Sequence, residues 1–545
     1  MPTVAAVSTT PAQPAADAAD ARGLRSRWIL VASVTGLIGI TIWNSLHKSL
    51  WIDEAYSFHS ASRTLGATWH QAIHFETQPP LYFVLLNLWL RLGSPSVHWM
   101  RLLSMLAAIG CMAFLWATRP SSTGRRGLPA PVFAMVTATV VWAAAEARPY
   151  ALALFFSAWT MYFFVRILDR QDDRSWLDAT LYAIGAYAGM MTFYYVGFLL
   201  VGQWIAAVLL QRGRRWLTIA LTVVAVAFAP WLTVVHDQLT RNINPTPAIV
   251  PQPAMRYLAG GPSTNLPSAF LAGVFGDSPV LTQTSFGTII IGGLILIVVA
   301  LRFIVPDRGA SPGAARTGSP LAGGNASSHD LATYRWLEPA LFIALAASAA
   351  ALLGLQFSNI VSVYPRHLAV LTPAFILLCT LWTARIAPGR WRRVGGVLLM
   401  TAAVLALVSF ERHVDVADSR GAAAYVAAHG TPDEPVLVIG PEAVLPFRYY
   451  YAGADRGRAS VFGIPNDASL DVYDPLLFDL RDTSRIGKRM RDAGVQNRFW
   501  MVVSEGFVWH TAPADSIVTS FLKVHATVLD STTYTNVYVI HAVKR

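Results

Sequence analysis

The first long apolar stretch of the chain decides the fold class. It extends from Trp28 to Leu46 and reads WILVASVTGLIGITIWNSL, without a charged residue. As an α-helix rising about 1.5 Å per residue it would be about 28 Å long, close to the roughly 30 Å of a bilayer core. Arg22, Arg25 and Arg27 precede it and no small-residue cleavage site ends it. We therefore interpret it as a retained spanning helix rather than a signal peptide.

Ten further apolar stretches of similar length follow. They lie at about 98–117, 131–147, 150–168, 177–193, 195–211, 216–236, 284–305, 336–357, 366–386 and 394–410. Of the 545 residues, 54% are apolar and 13% charged, whereas soluble proteins carry about 25% charged residues. This composition excludes a soluble globular enzyme. The sequence predicts a polytopic α-helical membrane protein with about 11 spans.

The basic residues predict the orientation of the chain. The net charge is +11, and residues 1–410 hold 28 Lys+Arg against 15 Asp+Glu, while residues 411–545 hold 14 against 16. The apolar segment Pro80 to Leu92 would be only about 20 Å long as a helix, too short to span. If it stays outside, 20 of the 28 basic residues fall on one side, as in cytoplasmic loops. We expect a multi-pass cell-membrane protein with a cytoplasmic N-terminus, an extracytoplasmic C-terminal domain and no nucleic-acid partner.

The chain divides into a tail, a membrane body and a polar C-terminal region. Residues 1–27 are predicted to be a disordered cytoplasmic tail, 28–410 the membrane body and 411–545 an extracytoplasmic soluble domain. The loops expected within the body are a first outer loop at 47–97, a long outer loop at 237–283 and a flexible cytoplasmic linker at 306–333.

The C-terminal region has the pattern of a small α/β or α+β domain. Short apolar runs predict strands at Pro435–Ile439, Ala459–Phe462, Phe499–Val503 and Val537–Ala542, and a helix is expected at Thr483–Ala493. The region also contains an aromatic cluster, formed by Phe447, Tyr449, Tyr450 and Tyr451. These rings could stack on sugars, but we favour packing in the core of a strand.

An acidic pair directly follows the first span, in the sequence Trp51-Ile52-Asp53-Glu54-Ala55-Tyr56-Ser57. Carboxylates at a membrane surface can serve as a general base or can ligate a divalent cation. The alternative is the acidic start of a helix, with Asp53 as its N-cap. Spacing alone does not decide between the two.

The same loop carries His70, His74 and Glu76, followed by Gln78-Pro79-Pro80-Leu81-Tyr82. The two prolines predict an extended entry into a short apolar helix, with Pro80 in its first turn. The two histidines are four residues apart and could ligate zinc together with Glu76. Polar residues on the face of an interfacial helix are the commoner explanation for this spacing.

Two further turns place charges at the ends of spans. One is Glu146-Ala147-Arg148-Pro149-Tyr150 and the other is Tyr364-Pro365-Arg366-His367. Charged residues at this depth are costly and usually mark a pathway or a bound partner, although a salt bridge between Glu146 and Arg148 is a simpler explanation. Two guanidinium groups at the membrane boundary match a phosphate in the headgroup layer.

Together these features resemble the GT-C membrane glycosyltransferases. The most similar group contains the polyprenyl-phosphate-mannose protein mannosyltransferases and the lipid A aminoarabinose transferases. The resemblance covers about residues 28–410 and rests on the acidic pair, the Pro-Pro-Leu-Tyr helix, the Glu-Ala-Arg-x-Tyr-Ala-Leu turn and the late Pro-Arg-His turn. It implies that a sugar is transferred with inversion from a polyprenyl-phosphate sugar to a glycan, lipid or protein acceptor on the outer face.

The resemblance also implies roles for single residues. Asp53 would be the catalytic base, or would help to hold a cation as in metal-using relatives, and Glu54 would orient Asp53 or the acceptor. The donor phosphate, which is also the leaving group, would be bound by Arg148, Tyr150, Arg366 and His367. No cofactor is required for such a reaction, and a divalent cation is an option.

The remaining site residues implied by the resemblance form a substrate loop, His74, Gln78 and Tyr82. Relatives often carry His at the position of Gln78, which puts an acid, phosphate-binding or metal role for Gln78 in doubt. Mannose is the sugar expected from the resemblance, and arabinose is the alternative.

Three other classes of protein compete with this interpretation: a transporter or lipid flippase, a lipid-linked glycan polymerase or ligase, and a non-catalytic scaffold. A transporter would carry its charges at the midplane and often shows a repeat, whereas here the charges collect at one boundary. A polymerase or ligase would be expected to place its key residues in a late outer loop rather than in an acidic pair after the first helix.

Overall fold

The computed structural model describes residues 13–118, 128–170, 175–243, 294–302, 335–357, 365–386, 389–413, 416–452, 461–464, 483–504 and 514–545. Nearly all of the described chain up to residue 413 is helical. The predicted class, an α-helical membrane body followed by a sheet-containing C-terminal domain, is confirmed.

The helices of the body differ widely in length. In chain order they are α1 (Gln13–His47), α2 (Ile52–Ala61), α3 (Leu65–His74), α4 (Leu81–Leu92), α5 (Val97–Thr118), α6 (Ala130–Met135), α7 (Ala138–Ala145), α8 (Tyr150–Asp169), α9 (Ser175–Met190), α10 (Val196–Leu210), α11 (Arg214–Phe228), α12 (Leu232–Ile243), α13 (294–302), α14 (Leu337–Phe357), α15 (Pro365–Leu368), α16 (Thr372–Arg385) and α17 (Gly389–His413). Short 3-10 segments, Ala229–Trp231 and Ala369–Leu371, join α11 to α12 and α15 to α16.

Six helical segments within the described residues are long and apolar enough to cross a membrane. They are Arg27–His47, Val97–Thr118, Tyr150–Asp169, Arg214–Thr240, Arg366–Arg385 and Gly389–Glu411. Shorter apolar helices lie at Leu81–Leu92, Val196–Leu210 and Leu337–Leu352. The first of these is the short helix predicted at Pro80 to Leu92. Of the span predicted at 284–305, only 294–302 is described, and it is helical.

The span predicted at 131–147 is divided into two short helices, α6 and α7, of 6 and 8 residues. The division falls at Val136 and Thr137, where the Thr137 hydroxyl donates a hydrogen bond to the Phe133 carbonyl at 2.8 Å. A hydroxyl that bonds to the preceding turn competes with the helical backbone ladder. The sequence prediction of one continuous helix is wrong here.

Helix α1 begins at Gln13, so the described part of the predicted tail, residues 13–27, is helical in this structure. Its first residues, QPAADAADARGL, are rich in alanine, which has the highest helix propensity. Residues 1–12 and the linker at 306–333 lie outside the described residues, as does most of the loop predicted at 237–283.

The first loop, residues 47–97, forms a compact group of three helices, α2, α3 and α4. Asn87 of α4 donates hydrogen bonds from Nδ2 to the carbonyls of Ala61 and Arg63, both at 2.7 Å. Pro80 is the N-cap residue of α4, where a missing N–H costs nothing. These contacts hold the acidic helix α2 against α4.

The C-terminal domain contains a mixed five-stranded sheet. Its strands are β1 (Val436–Ile439), β2 (Val461–Ile464), β3 (Arg498–Ser504), β4 (Ala526–Tyr534) and β5 (Val537–Lys544), in the order β2-β1-β3-β5-β4. β1 is parallel to β2 and β3, whereas β5 is antiparallel to β3 and β4. Its helices are α18 (Ser419–His429), α19 (Pro441–Ala452), α20 (Thr483–Asp492) and α21 (Ala514–His525). The four predicted strands and the predicted helix are confirmed within two residues at each end.

The aromatic cluster of the domain belongs to α19 and is used for packing. Phe447 and Tyr451 are buried, with their rings stacked 5.4 Å apart. Tyr449 and Tyr450 instead contact the first loop. The expectation of a strand core is wrong, because all four residues lie in helix α19, where only Phe447 and Tyr451 are buried.

Candidate functional site

The acidic pair lies in the first turn of α2, close to the turn 146–149. Trp51 is the N-cap residue of α2, so the alternative in which Asp53 caps the helix is wrong. The Glu54 carboxylate accepts a hydrogen bond from the Trp51 amide at 3.4 Å, as in a capping box. The two adjacent carboxylates then point into different surroundings.

Glu54 is fully buried and bound on both oxygens. Arg101 of α5 donates to it from Nε at 2.8 Å and from Nη2 at 2.6 Å. The Ala147 amide donates to the same carboxylate at 2.8 Å. Because a bidentate guanidinium pair fixes direction as well as distance, Glu54 ties α2 to α5 and to the turn 146–149.

Asp53 is the accessible member of the pair, with 28% of its side chain exposed. Its Oδ2 lies 3.7 Å from Nη2 of Arg148, which is itself buried. Arg148 also donates from Nη1 to the Asp53 carbonyl at 3.2 Å and to the Ser57 hydroxyl at 3.1 Å. A carboxylate that is accessible and a guanidinium that is fixed beside it are thus brought together by residues 95 positions apart.

The Arg148 guanidinium remains charged and keeps hydrogen-bonding capacity. Burial alone would lower the pKa of Arg148, but Asp53 and Tyr150 raise it above the usual value. Its Nε is buried and has no hydrogen-bond partner within the described residues. A buried donor without a partner is unfavourable unless a ligand or water supplies one, which makes Arg148 suited to bind an anion.

Glu146 does not pair with Arg148, so the salt-bridge alternative is wrong. Its Oε1 accepts a hydrogen bond from the Trp142 indole at 2.5 Å, and its carbonyl accepts one from the Arg148 amide at 2.9 Å. Burial, reinforced by the nearby Glu54 carboxylate, raises the pKa of Glu146 to about 8. Glu146 is the C-cap residue of α7 and lies in the same turn as Arg148.

The loop residues named from sequence are separated by their environments. The His74 side chain is exposed and its ring stacks on His70 at 4.1 Å, whereas Glu76 is buried and accepts a hydrogen bond from Ser60 at 2.6 Å. Burial raises the pKa of Glu76, with Arg148 acting against that rise. The zinc arrangement of His70, His74 and Glu76 is therefore not formed in this structure.

Gln78 and Tyr82 lie at the start of the apolar helix α4. Tyr82 is fully buried, and its hydroxyl interacts electrostatically with the Arg148 guanidinium. The Oε1 atom of Gln78 is buried and has no hydrogen-bond partner within the described part of the chain. Of the two side chains, only Tyr82 is placed close to Arg148.

The residues of the late turn approach the same area through aromatic rings. His367 stacks on Tyr195 at 4.0 Å and lies 6.1 Å from the ring of Phe193. Phe193 in turn contacts Tyr150, at 5.6 Å between centroids. The structure therefore joins the Arg148–Tyr150 turn and the Arg366–His367 turn across one phenylalanine. Tyr364 lies outside the described residues.

Several residues of this site were missed in the sequence. Arg101 was the detectable one, because an arginine within an apolar span is costly and demands a buried partner. Ser57, Phe193 and Tyr195 carried no such signal, since a serine after an acidic pair and aromatic residues between two spans are common. Their roles come from contacts between distant parts of the chain.

Within the ranges that the structure describes, the donor set around the acidic pair does not fit a divalent cation. No group of three His, Cys, Asp or Glu residues in the described ranges could hold a metal ion. Both oxygens of Glu54 are taken by Arg101 and Ala147, and Asp53 pairs with the cationic Arg148 at 3.7 Å.

Comparison with known proteins supports the fold. Residues 77–235 match the family model of dolichyl-phosphate-mannose-protein mannosyltransferases. The structure is similar to that of ArnT from Cupriavidus metallidurans, in the apo state (14% identity, 95% of this chain and 98% of that chain, TM-score 0.53) and bound to undecaprenyl phosphate (12% identity, the same coverage, TM-score 0.50). An oligosaccharyltransferase from Archaeoglobus fulgidus, in complex with Zn and sulfate, is also similar (11% identity, 92% of this chain and 71% of that chain, TM-score 0.49). Among curated protein sequences no significant match is found. The resemblance to the GT-C group is confirmed at the level of the fold.

Proposed function

From the premise that this chain has the fold of the GT-C membrane glycosyltransferases, we propose that it is an inverting glycosyltransferase. It moves a sugar from a polyprenyl-phosphate sugar to an acceptor on the outer face of the cytoplasmic membrane. The observation that carries the proposal is the pairing of an accessible carboxylate, Asp53, with the buried guanidinium of Arg148. A base and an anion-binding group are thereby fixed side by side next to apolar helices.

The two groups supply the base and the anion-binding donor that a single displacement needs. Asp53 removes the proton from an acceptor hydroxyl, whose oxygen attacks the anomeric carbon of the sugar. The bond from that carbon to the phosphate oxygen breaks, and its electron pair leaves with the polyprenyl phosphate. Arg148 stabilises the developing negative charge, and one attack from the opposite side inverts the anomeric centre. Glu54, bound by Arg101, positions the helix that carries the base.

Arg366 and His367 complete the proposed donor site, together with Tyr150. Support comes from the aromatic contacts that join the two turns across Phe193. The prenyl chain would stay in the bilayer, and the phosphate would lie at the ends of α8 and α15, where these residues lie. His74, Gln78 and Tyr82 then belong to the loop that borders the acceptor side.

The orientation of the protein is also a proposal. The arginines of the sequence support a cytoplasmic N-terminus and an extracytoplasmic C-terminal domain. The Lys48–Glu411 ion pair of 2.7 Å joins the ends of α1 and α17, in agreement with the C-terminal domain lying at the same end of the body as the first loop.

Mannose is the sugar we propose, because the family model that matches residues 77–235 is that of mannosyltransferases. Arabinose is the second candidate. The resemblance to the group that contains the lipid A aminoarabinose transferases supports it. The acceptor is a glycan, lipid or protein of the cell envelope.

Replacing Asp53 by Asn tests the proposal. We expect turnover to fall by about 1,000-fold with the folded yield unchanged, because the amide cannot accept the acceptor proton. The assay measures transfer of label from polyprenyl-phosphate-[14C]mannose to the envelope fraction of the source organism, with purified protein in lipid vesicles. Mass spectrometry of the lipid that co-purifies with the Asp53→Asn variant then identifies the bound donor.

The matched control is Asp433→Asn, which makes the same chemical change at an exposed position of the C-terminal domain. It should retain full turnover. Wild-type turnover in the Asp53→Asn variant would falsify the assignment of the base. A co-purified polyprenyl phosphate carrying a pentose would replace mannose by the second candidate.

A further inference from the structure

The short segment that leads from α1 into α2 is held from two sides. Ser49 and Leu50 are both buried. From the membrane body, Arg101 donates to the carbonyls of Lys48 and Ser49, each at 3.0 Å. From the C-terminal domain, the Tyr450 hydroxyl accepts a hydrogen bond from the Leu50 amide at 2.8 Å. The position of α2 thus depends on both parts of the chain.

Two more polar contacts link the C-terminal domain to the first loop. The Ser49 hydroxyl donates to Oδ1 of Asp418 at 2.7 Å. The Tyr449 hydroxyl donates to the Pro95 carbonyl at 2.8 Å. These bonds attach the domain to both ends of the loop, ahead of α2 and after α4.

Apolar packing supports the same contact. Residues of α2 and of α19 belong to one buried hydrophobic cluster, which includes Leu50, Ile52, Ala55, Ala443, Val444 and Phe447. The ring of Phe58 meets that of Tyr449 edge-on at 5.3 Å. The helix that carries Asp53 therefore has one side on the C-terminal domain.

We propose that Tyr450 is a positioning residue for the reaction. Its hydroxyl fixes the Leu50 amide, and Asp53 follows only three residues later, in the first turn of α2. A buried backbone N–H needs a partner, so the segment keeps the position in which Tyr450 supplies one. Asp53 is thereby held at 3.7 Å from Arg148. This role rests on the proposed function, because it acts through Asp53.

The surroundings of Tyr450 fit positioning rather than sugar binding. Its ring is packed edge-on against Tyr449 at 5.1 Å, and the guanidinium of Arg420 lies 6.0 Å from its centroid. Its hydroxyl is engaged by the Leu50 amide. A sugar stacked on this ring would have to displace these contacts.

The test uses Tyr450→Phe in the full chain, which removes the hydroxyl and keeps the ring. We expect turnover at saturating donor to fall about 10-fold, with the KM for the donor nearly unchanged, because the base is displaced while the donor site is intact. Hydrogen–deuterium exchange of residues 49–57 should become faster. Exchange in the sheet of the C-terminal domain should stay the same.

Tyr425→Phe is the matched control. The Tyr425 hydroxyl donates to Oδ2 of Asp530 at 2.6 Å, a bond within the C-terminal domain. This variant should keep wild-type turnover and wild-type exchange at 49–57. Ser49→Ala, which removes the bond to Asp418 from the loop side, should show a smaller change in the same direction as Tyr450→Phe. If Tyr450→Phe also accelerates exchange in the sheet, and so perturbs the whole C-terminal domain, Ser49→Ala replaces it as the test variant.

The outcomes separate this inference from the proposed function. If Tyr450→Phe behaves like Tyr425→Phe, or slows turnover without faster exchange at 49–57, positioning by Tyr450 is refuted. Hydrogen–deuterium exchange needs no substrate. It therefore reports on the Tyr450–Leu50 hydrogen bond even if the assay uses the wrong sugar donor. Retained turnover in Asp53→Asn would refute the proposed function and leave the exchange result standing.

Discussion

The two turns of the proposed donor site are built from different interactions. Around Arg148, ion pairs and charge-assisted hydrogen bonds connect buried groups, with the Glu54–Arg101 pair at 2.6 Å behind them. The His367 ring contacts two aromatic side chains, Tyr195 and Phe193. Both turns contact Phe193. Charge interactions hold the first turn, whereas ring stacking holds the second.

The difference predicts how each turn responds to substitution. A buried ion pair is costly to break on one side, because the remaining charge stays in a medium of low polarity. Ring stacking is weaker and less directional, and another ring can often replace the first. The polar turn should therefore be intolerant of change, and the aromatic turn should be tolerant.

The largest effect is expected for Arg101→Met, which leaves the Glu54 carboxylate buried and unpaired. We expect the free energy of unfolding to fall by about 3–5 kcal/mol. Denaturant unfolding in detergent micelles, followed by Trp fluorescence, measures this change.

Lys48→Met is the matched control for Arg101→Met. Lys48 pairs with Glu411, and about a quarter of each side chain is exposed. The free energy of unfolding should therefore fall by only about 0–1 kcal/mol. Equal costs for the two variants would contradict the importance of the buried pair.

Much of the fold could be predicted from the sequence because its signals are local. Apolar runs of about 20 residues mark spans regardless of their neighbours. Strands β1, β2, β3 and β5 are short apolar runs and were predicted. Strand β4 was missed because it is an exposed edge strand, with successive exposed residues from Thr527 to Ser531, so no apolar pattern marks it.

The site could be predicted only in part, because its pairings are not local. Asp53, Arg148 and His367 were found as charged or titratable residues beside spans. Their partners were not, since the only local partner considered for Arg148 was Glu146 two residues away, as an alternative to phosphate binding, whereas Arg148 pairs with Asp53. The two members of the acidic pair are also indistinguishable in sequence, and only burial separates the accessible Asp53 from the enclosed Glu54.

The second effect in size is expected for Arg148→Lys. The lysine keeps the charge, but its single ammonium group cannot donate to Ser57, Asp53 and a phosphate at the same time, as the several N–H groups of a guanidinium can. Turnover should fall by about 100-fold, as for loss of a donor to a developing anion. The companion variant in the aromatic turn is His367→Phe, which keeps a ring beside Tyr195. Its turnover should fall by only about 5-fold, because a phenyl ring keeps the stacking on Tyr195. Steady-state transfer assays compare the two, and equal losses would erase the distinction between the turns.

The smallest effect concerns Glu146, next to the polar turn. Because burial raises its pKa to about 8 in the folded protein, the folded state binds more protons than the unfolded state between about pH 4.5 and pH 8. The stability contributed by this group is therefore present below about pH 4.5 and is lost as the pH rises through 8. Glu146→Gln is permanently neutral, so thermal unfolding from pH 5 to pH 9 should depend less on pH, with the gain in stability over wild type largest at pH 9.

Glu411→Gln is the control for Glu146→Gln, because the Glu411 side chain is 27% exposed and pairs with Lys48 in contact with solvent. It should leave the pH dependence close to that of wild type. A Glu146→Gln profile parallel to the wild-type profile would mean that Glu146 is already charged at neutral pH. The polar turn would then carry one more buried anion beside Glu54, and the cation of Arg101 would have to balance both.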